Sequence, residues 1–373
     1  MVVIKEVTTK KDLKKFIQFP NQLYKGNKYY VPDLISGELD NFNPKKNPAY
    51  AFCETKLFLA YIDNKIVGRI GGLISHKYNE KVNKKLIRFT RFDFIDDIEV
   101  SQALINKVEE WGKSRGLTAM MGPIGFTDID QQGMLIEGFE EHDLSITLYN
   151  YEYYPKHLEK LGFVKDADWV EFQIFMPEKL DERIDRISEM VKNRYKFKRV
   201  YFKNNKEIYP YAYEALNVIN DAFAGLYGQV AMTDEIIGKA VKEYIPIVNK
   251  DFVIVITNNE GKVIGFGLLV PSLAEAFKKS KGKLFPFGIF KILKALKNPK
   301  ILEMYFIAVL PEYQKMGVNA IIMAEAVKEG IKHNVKFAET GPELDYNENV
   351  IDQWKSFPHR QHRRRRSWIR EIK

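Results

Sequence analysis

The sequence predicts an α+β protein built from two similar units in tandem. Three observations carry this. Apolar runs of strand period alternate with runs of helix period along the chain. In each half, two strand-like runs flank a short polar turn. The order of elements before residue 177 recurs after residue 185, which places the units at residues 1–180 and 181–373. The chain of 373 residues is long enough for two average domains. Its 45% hydrophobic and 29% charged content suits a globular protein with a buried core.

In the first half, VVIKEV (2–7) reads as a strand and KDLKKFIQF (11–19) as a helix. LFLAYI (57–62) and IVGRIGGLIS (66–75) flank Asp63-Asn64-Lys65, a hairpin signal. IRFTRFDFI (87–95) alternates like a strand. VSQALINKVEEWGKSRG (100–116) sets Leu104, Ile105, Val108 and Trp111 on one helical face and stops at Gly116. TAMMGPIGF (118–126) is a strand, YYPKHLEKLGF (153–163) a short helix ending at Gly162, and DWVEFQIF (168–175) a closing strand. Residues 30–56, rich in Pro and Asn, read as a long ordered loop.

The second half repeats the order. RVYFK (199–203) is a strand, followed by helices at YAYEALNVINDAF (211–223) and DEIIGKAVKEYI (234–245), the latter capped by Thr233 or Asp234. FVIVIT (252–257) and VIGFGLLV (263–270) flank the turn Asn258–Gly261. EMYFIAV (303–309) is a strand, VNAIIMAEAVKEGIKH (318–333) a helix and KFAET (336–340) a strand. NENVIDQWKSF (347–357) reads as a helix and RRSWIREI (365–372) as a last strand. Residues 277–300 break the pattern. They hold eight lysines and no acidic residue, interleaved with apolar and aromatic side chains.

Composition narrows the function. The single cysteine, Cys53, excludes an internal disulfide framework and fits a reducing, cytoplasmic compartment. Residues 1–20 carry charges throughout, so no signal-peptide core is expected, and no apolar run is long enough to span a bilayer. The six histidines show no metal-ligand spacing, so no metal site is expected. A net charge of +9 favours an anionic partner: a phosphorylated cofactor, nucleic acid or a lipid surface.

VLPEYQKMGVNA (309–320) lies between the strand at 303–309 and the helix at 318–333. A helix start leaves backbone N–H groups unpaired, and the helix dipole adds partial positive charge, so an anion can bind without a side-chain cation. Pro311 fixes the exit from the strand, Gly317 allows close approach, and Ala320 is small enough for close packing. A plain helix start with no ligand is the alternative reading of a single glycine. The pattern Val309-x-Pro311-x-x-Gln314-x-x-Gly317-x-Asn319-Ala320 resembles the acyl-CoA loop of the GCN5-related N-acetyltransferase (GNAT) superfamily, which reads Gln/Arg-x-x-Gly-x-Gly/Ala after a Val-x-Pro strand end. Asn319 departs from it, where the family prefers Gly or Ala. The element order after residue 195 matches the family too, and YYPKHLEKLGF looks like its fourth helix. The resemblance implies two GNAT-like α/β/α sandwiches, each a central mixed, mostly antiparallel sheet flanked by helices. The first-half counterpart of the loop, FDFIDDIEVSQA (92–103), has no glycine and carries Asp93, Asp96, Asp97 and Glu99. Such acids repel a pyrophosphate, so one working cradle is expected, in the second unit.

The resemblance implies direct attack of an amine on an acyl-CoA thioester held between splayed strands at 304–309 and 336–340. Backbone of Ile307 and Val309 would pair with the pantetheine arm. N–H groups of Gln314, Lys315, Met316, Gly317, Val318 and Asn319 would bind pyrophosphate, with Ala320 and Asn349 completing the cofactor set. Most of the rate would come from holding amine and thioester together, and a backbone N–H near Val309 would stabilise the oxyanion. Candidate bases are Glu303, Tyr305 and Glu339. Strand alternation sets Glu303, Tyr305, Ile307 and Val309 on one face. Many relatives carry an acid Tyr on the last helix; here that helix has none, and Tyr346 just before it is the candidate.

Two stretches can shape the acceptor side. The glycine-marked loop 122–141 offers Asp128, Asp130, Gln131, Gln132 and Glu137 to a polar or cationic acceptor. Residues 277–300, with Lys291, Lys294 and Lys297 at i+3 spacing, read as a basic amphipathic segment for peripheral membrane contact, or as a packed helix with a solvated lysine edge. With LPEYQKMGVNA, the FPxGxxKxLKALK pattern of this segment is similar to a GNAT branch that includes bacterial ceramide-synthase-like acyltransferases. That similarity implies a lipid amine acceptor and a longer acyl donor. The tail arginines Arg360 and Arg363 to Arg366 lie on the final strand, facing solvent or lining the phosphate end of the groove, and nucleic acid is the less favoured partner. Two function classes remain: an acyl-CoA-dependent N-acyltransferase, or a tandem binding or sensory module for CoA or lipid without turnover.

Overall fold

A computed structural model describes residues 1–373 except Asp128, Ile247 and Lys373. The first half runs β1 (Val3–Glu6), α1 (Lys10–Leu23), α2 (Ile35–Asn41), β2 (Cys53–Ile62), β3 (Lys65–Ser75), α3 (His76–Val82), β4 (Leu86–Phe94), α4 (Ile98–Ser114), β5 (Ala119–Gly122), β6 (Met134–Glu137), α5 (Tyr153–Lys160) and β7 (Val164–Phe175). The second runs α6 (Glu182–Tyr195), β8 (Lys198–Val200), α7 (Tyr209–Ala222), α8 (Asp234–Tyr244), β9 (Val253–Thr257), β10 (Val263–Pro271), α9 (Ala274–Ser280), α10 (Gly288–Lys297), β11 (Ile301–Val309), α11 (Val318–Lys332), β12 (Phe337–Thr340), β13 (Glu343–Leu344), α12 (Glu348–Ile351) and β14 (His359–Glu371).

The two hairpins stand where turn chemistry puts them. Asp63 and Asn64 both take positive φ, +47° and +61°, as a two-residue turn between twisted strands requires. Each half then repeats one parallel unit: β4–α4–β5 in the first and β11–α11–β12 in the second. The other strand pairs are antiparallel, so the sheet is mixed and mostly antiparallel. Glycines in β10 let α11 lie close on the sheet. A Cβ at Gly265 would come within 2.6 Å of Val318 Cγ1, and one at Gly267 within 2.8 Å of Ile322 Cγ2.

Among the described residues, fourteen strands form one sheet, in the order β1-β2-β3-β4-β5-β14-β7-β12-β11-β10-β9-β8, with β6 on β14 and β13 on β7. The last strand of the chain therefore lies between β5 and β7 of the first half, and β7 lies between β14 and β12. The expected boundary at residue 180 is crossed by this exchange. The largest apolar core follows suit and joins Phe16, Leu57 and Val170 to Ile254, Ile322 and Trp354.

Several local expectations change. Residues 30–56 contain α2 and a short 3₁₀ turn at Pro48–Ala51. The joining segment 177–185 ends in the first turn of α6, a helix that runs on to Tyr195 and packs on α11. The helix expected at 347–357 is one α-turn followed by a 3₁₀ turn. Lys291, taken as part of a free basic edge, is half-buried and donates to the Lys279 carbonyl at 2.8 Å, tying α10 to α9.

Candidate active site

β11 and β12 are hydrogen-bonded in parallel only over Ile301–Met304 and Phe337–Thr340. β12 then ends while β11 runs on to Val309, so the two strands part where the resemblance implied a splay. The pairing of β11 with β10 slips at the same point: Leu268 faces Phe306, Leu269 faces Met304, and Tyr305 is left as a bulge. The bulge interrupts the expected alternation from Glu303 to Val309. A cavity of about 610 Å³ opens along this edge. Tyr305, Ile307, Val309, Gln314, Asn319 and Asn349 line it, and α7, α8 and the sheet below them supply a largely apolar wall that includes Ala215, Val241 and Phe266. Ile129, Asp130, Gln132, Ile146 and Trp169 come from the first half, so the site belongs to both halves.

At one end of the cavity lies the glycine loop. Pro311–Met316 forms a 3₁₀ turn, Gly317 takes φ +81°, and α11 begins at Val318 with no side chain capping its first amides. The counterpart helix α4 begins differently: the Asp97 carboxylate accepts the Glu99 N–H at 2.9 Å. Two other acids of that loop have partners of their own. Asp93 binds Arg69 at 2.7 Å, and Asp96 meets His157 at 2.9 Å. The first-half cradle is thus filled by its own cap, with exposed Glu99 in the first turn of α4 beside it. Gly317 also reads differently in three dimensions. A Cβ there would stand 2.8 Å from Val191 Cγ2 on α6, so its left-handed φ and helix packing require glycine, whatever binds nearby. Gln314 Nε2 donates to the Val309 carbonyl at 3.2 Å. Asn319 donates to Gln353 Oε1 at 2.6 Å, and its own Oδ1 is buried without a partner. Lys315 is exposed, Met316 and Ala320 half-buried and Val318 buried; with Gly317 they form the loop and helix start without lining the cavity.

The carboxylates sort by position. Glu303 is fully buried and does not line the cavity. It accepts from Ser145 Oγ at 2.6 Å, Ser145 N–H at 3.3 Å and Ser272 Oγ at 2.7 Å. Burial pushes its carboxyl up to about 7, against the pull of the two serines and with a further push from Glu339. Ser145 Oγ also stands 3.2 Å from Tyr305 Oη, so a hydrogen-bonded chain runs from the cavity wall through Ser145 to Glu303. Burial, and then the Glu303 charge, hold the Tyr305 phenol well above its usual range. Glu339 is turned away from the cavity into an ion pair with Arg363 at 3.0 Å. Tyr346 is 60% exposed and lies outside the lining, which corrects its proposed place beside the leaving thiol. Two residues of the site were not anticipated. Ser145 reaches Glu303 across 158 positions of chain, a pairing that no local pattern signals. Glu343 lines the cavity with its carboxyl accepting from Trp354 Nε1 at 2.9 Å, and burial raises it to about 8.

The acceptor loop divides as well. Asp130 and Gln132 line the cavity. Asp130 is ion-paired with Arg91 at 2.9 Å; burial works against its charge, but the Arg91 guanidinium outweighs burial and holds the carboxyl below its usual range. Gln131 turns to Asp33 at 2.7 Å and lies outside the lining, and Glu137 is exposed on β6, 3.7 Å from Arg364. Neither is brought to the site, and Asp128 lies outside the described residues. Of the tail arginines, Arg360 faces solvent and pairs with Glu141 at 2.7 Å, whereas Arg363 to Arg366 turn to carboxylates of the sheet. Arg363 and Arg365 are buried, both paired with Glu171, and Arg365 also with Asp143 at 3.0 Å. Arg364 and Arg366 converge on Asp168 at 3.0 and 2.7 Å. Among the described residues, Asp251, Glu329 and His333 come within metal-ligand reach of one another, but Lys250 and Lys332 already pair with the two carboxylates.

Residues 233–356 match the family described as acetyltransferase (GNAT) family. Protein YghO of Escherichia coli (strain K12) is 27% identical over 340 residues, covering 88% of this chain and 84% of its own. Bacterial ceramide synthase of Caulobacter vibrioides (strain NA1000 / CB15N) is 27% identical over 297 residues, covering 78% and 75%. A solved tandem GNAT protein from the clavulanic acid biosynthesis pathway superposes with a TM-score of 0.57 over 100% of this chain and 99% of its own, at 9% identity, which speaks for the fold alone. Residues 233–356 thus carry an acetyltransferase (GNAT) family match, and the chain as a whole has a tandem GNAT fold.

Proposed function

We propose that the chain is an acyl-CoA-dependent N-acyltransferase that moves an acyl group to an amine by direct attack within a ternary complex. The observation that carries this reading is the parting of β11 from β12 beside the uncapped start of α11, both opening on one apolar cavity. Backbone of β11 at Ile307 and Val309 would take the pantetheine arm as an added strand, with the Val309 carbonyl exchanging its Gln314 partner for the arm. The amides around Gln314 to Asn319 would take the pyrophosphate. The 1–180 unit would serve the acceptor side without a cofactor of its own, and the 181–373 unit would hold the donor.

The proton of the attacking ammonium would pass to Tyr305 Oη, whose own proton moves to Ser145 Oγ, whose proton in turn moves to Glu303. The phenol and the serine end unchanged, and the carboxylate ends protonated. Glu343 is a second candidate base, favoured by its place on the cavity wall. The thioester C–S bond breaks as the amide C–N bond forms, the second proton lost by the nitrogen passes to the departing sulfur, and CoA leaves as thiol. An acetyl group would leave the apolar wall beneath α7 and α8 uncovered, so a longer acyl chain fits this cavity better. The relative named bacterial ceramide synthase points the same way.

The test is CoA-thiol release with donors from acetyl-CoA to palmitoyl-CoA against a panel of simple and lipid amines. Release should rise with chain length, and Ala215→Phe should shift the optimum to shorter chains. Donor binding without release under every pairing would favour the non-catalytic binding module. Absence of donor binding would remove both readings.

A further inference from the structure

α9 and α10 form an excursion between β10 and β11. Its inner side is anchored: Phe277 and Ile292 pack with Val31 and Leu273 in a small core of their own. Its outer side is not covered. Phe285, Phe287, Phe290 and Leu293 are 72%, 69%, 66% and 54% exposed. A packed helix with a solvated lysine edge accounts for Ile292 but not for four outward apolar side chains within nine residues. Around them stand Lys281, Lys283, Lys294 and Lys297, all exposed, and residues 277–300 contain no carboxylate to offset them.

We propose that this face docks on an anionic lipid bilayer, with the phenylalanines and Leu293 entering the headgroup boundary and the lysines pairing with lipid phosphates. Charge complementarity selects this occupant. An apolar cluster rimmed by cations of one sign suits a surface that is negative outside and apolar within. A protein partner would need a concave acidic surface matched to each side chain, whereas a bilayer accepts Phe and Leu at any position. No helix among the described residues is long and apolar enough to cross a membrane, so the contact is with the surface. The excursion is also tied to the acceptor side. Lys278 Nζ donates to the Lys28 carbonyl at 2.7 Å and meets His142 Nδ1 at 2.8 Å, three residues before Ser145. Docking would therefore set the loop that carries Ser145 close to lipid.

The docking surface stands independently of the acyl-transfer reading, and its test needs no turnover. Full-length protein is floated with vesicles of phosphatidylglycerol and phosphatidylcholine, and with vesicles of phosphatidylcholine alone. Flotation is expected on the anionic vesicles only, weakening as salt rises. Lys294→Glu with Lys297→Glu should cut partitioning by about fivefold or more per lysine. Phe287→Ser with Phe290→Ser and Leu293→Ser should abolish it. Hydrogen exchange of the unmodified chain gives a readout that no variant can compromise, with protection on anionic vesicles expected at residues 283–297. The proposal is overturned by no flotation at low salt, by equal flotation on phosphatidylcholine, by protection elsewhere with none at 283–297, or by a dimer that the serine variant dissolves.

Discussion

Glu303 and Tyr305 sit two positions apart on β11, and strand geometry alone would have aimed both at the same space. The bulge separates them, and Ser145 reconnects them across 2.6 and 3.2 Å. If the relay operates, ionised Glu303 is the active form. The rate should then rise with pH through an inflection near 7, following the raised carboxyl. Glu303→Gln should remove that inflection and lower kcat by about 100-fold or more, the usual contribution of a positioned base. Ser145→Ala should lower kcat while leaving the donor KM unchanged, because Ser145 touches the relay and not the donor cradle. An unchanged pH profile in Glu303→Gln would pass the role to Glu343. Glu343 makes a separate statement about stability. Its carboxyl is raised from 4.5 to about 8 by burial, so folding favours the protonated form. The stability this contributes is complete below about pH 4.5 and is lost as pH climbs to about 8. Glu343→Gln should therefore melt at progressively higher temperature than the parent as pH is raised from 5 to about 8.5, by differential scanning calorimetry.

β14 shows what a single element can do. Its run of arginines reads locally as a polybasic tail, yet the strand lies in the middle of the sheet with Arg363 and Arg365 buried against Glu171. Burial opposes the charge on Glu171, but the two guanidiniums outweigh it and hold the carboxyl down at about 2. Removing that carboxylate would leave each buried guanidinium with one carboxylate, Glu339 for Arg363 and Asp143 for Arg365. Glu171→Gln should cost about 3–5 kcal/mol in urea unfolding. Glu137→Gln, on an exposed partner of Arg364, should fall within about 0.5 kcal/mol of the parent. Equal effects would mean that the buried arginines find other partners. The paired helices α4 and α11 carry the other lesson at this scale. Both start a crossover between parallel strands, but Asp97 fills the first helix start and Gly317 leaves the second open.

The whole molecule is held together by the exchange at its centre. β14 covers the edges of both β5 and β7, and β7 in turn covers β12. A fragment of residues 1–180 would expose unpaired edges of β5 and β7 beside an apolar face, a state prone to aggregation. It should be insoluble or unfolded when made alone, whereas the full chain should melt in one cooperative transition. A well-dispersed NMR spectrum from the isolated fragment would show that the first half closes its own sheet. The cavity has the same dependence on the whole: its floor comes from β9, β10 and β11, and part of its rim from the loop around Asp130 and Gln132.

The sequence by itself determined the repeated element order, the hairpin at Asp63–Asn64 and the glycine loop before α11, while the parting of β11 from β12 was implied only by the family resemblance. The first three rest on short-range physics: apolar periodicity, φ preferences in turns and the unpaired amides of a helix start. It also held Glu303 and Tyr305, though not how they are linked. α6 is legible in the pattern ERIDRISEMVKNRY, whose first four residues overlap the joint expected at 177–185. Only the tertiary structure decided that the final strand inserts into the first half, that its arginines are neutralised in the core, that Ser145 meets Glu303 and that Glu343 faces the cavity. Each of these joins residues distant in the chain or depends on which face a bulge or an exchanged strand presents. Local periodicity carries no information about such pairings, because burial and charge compensation are settled only when the two halves pack together.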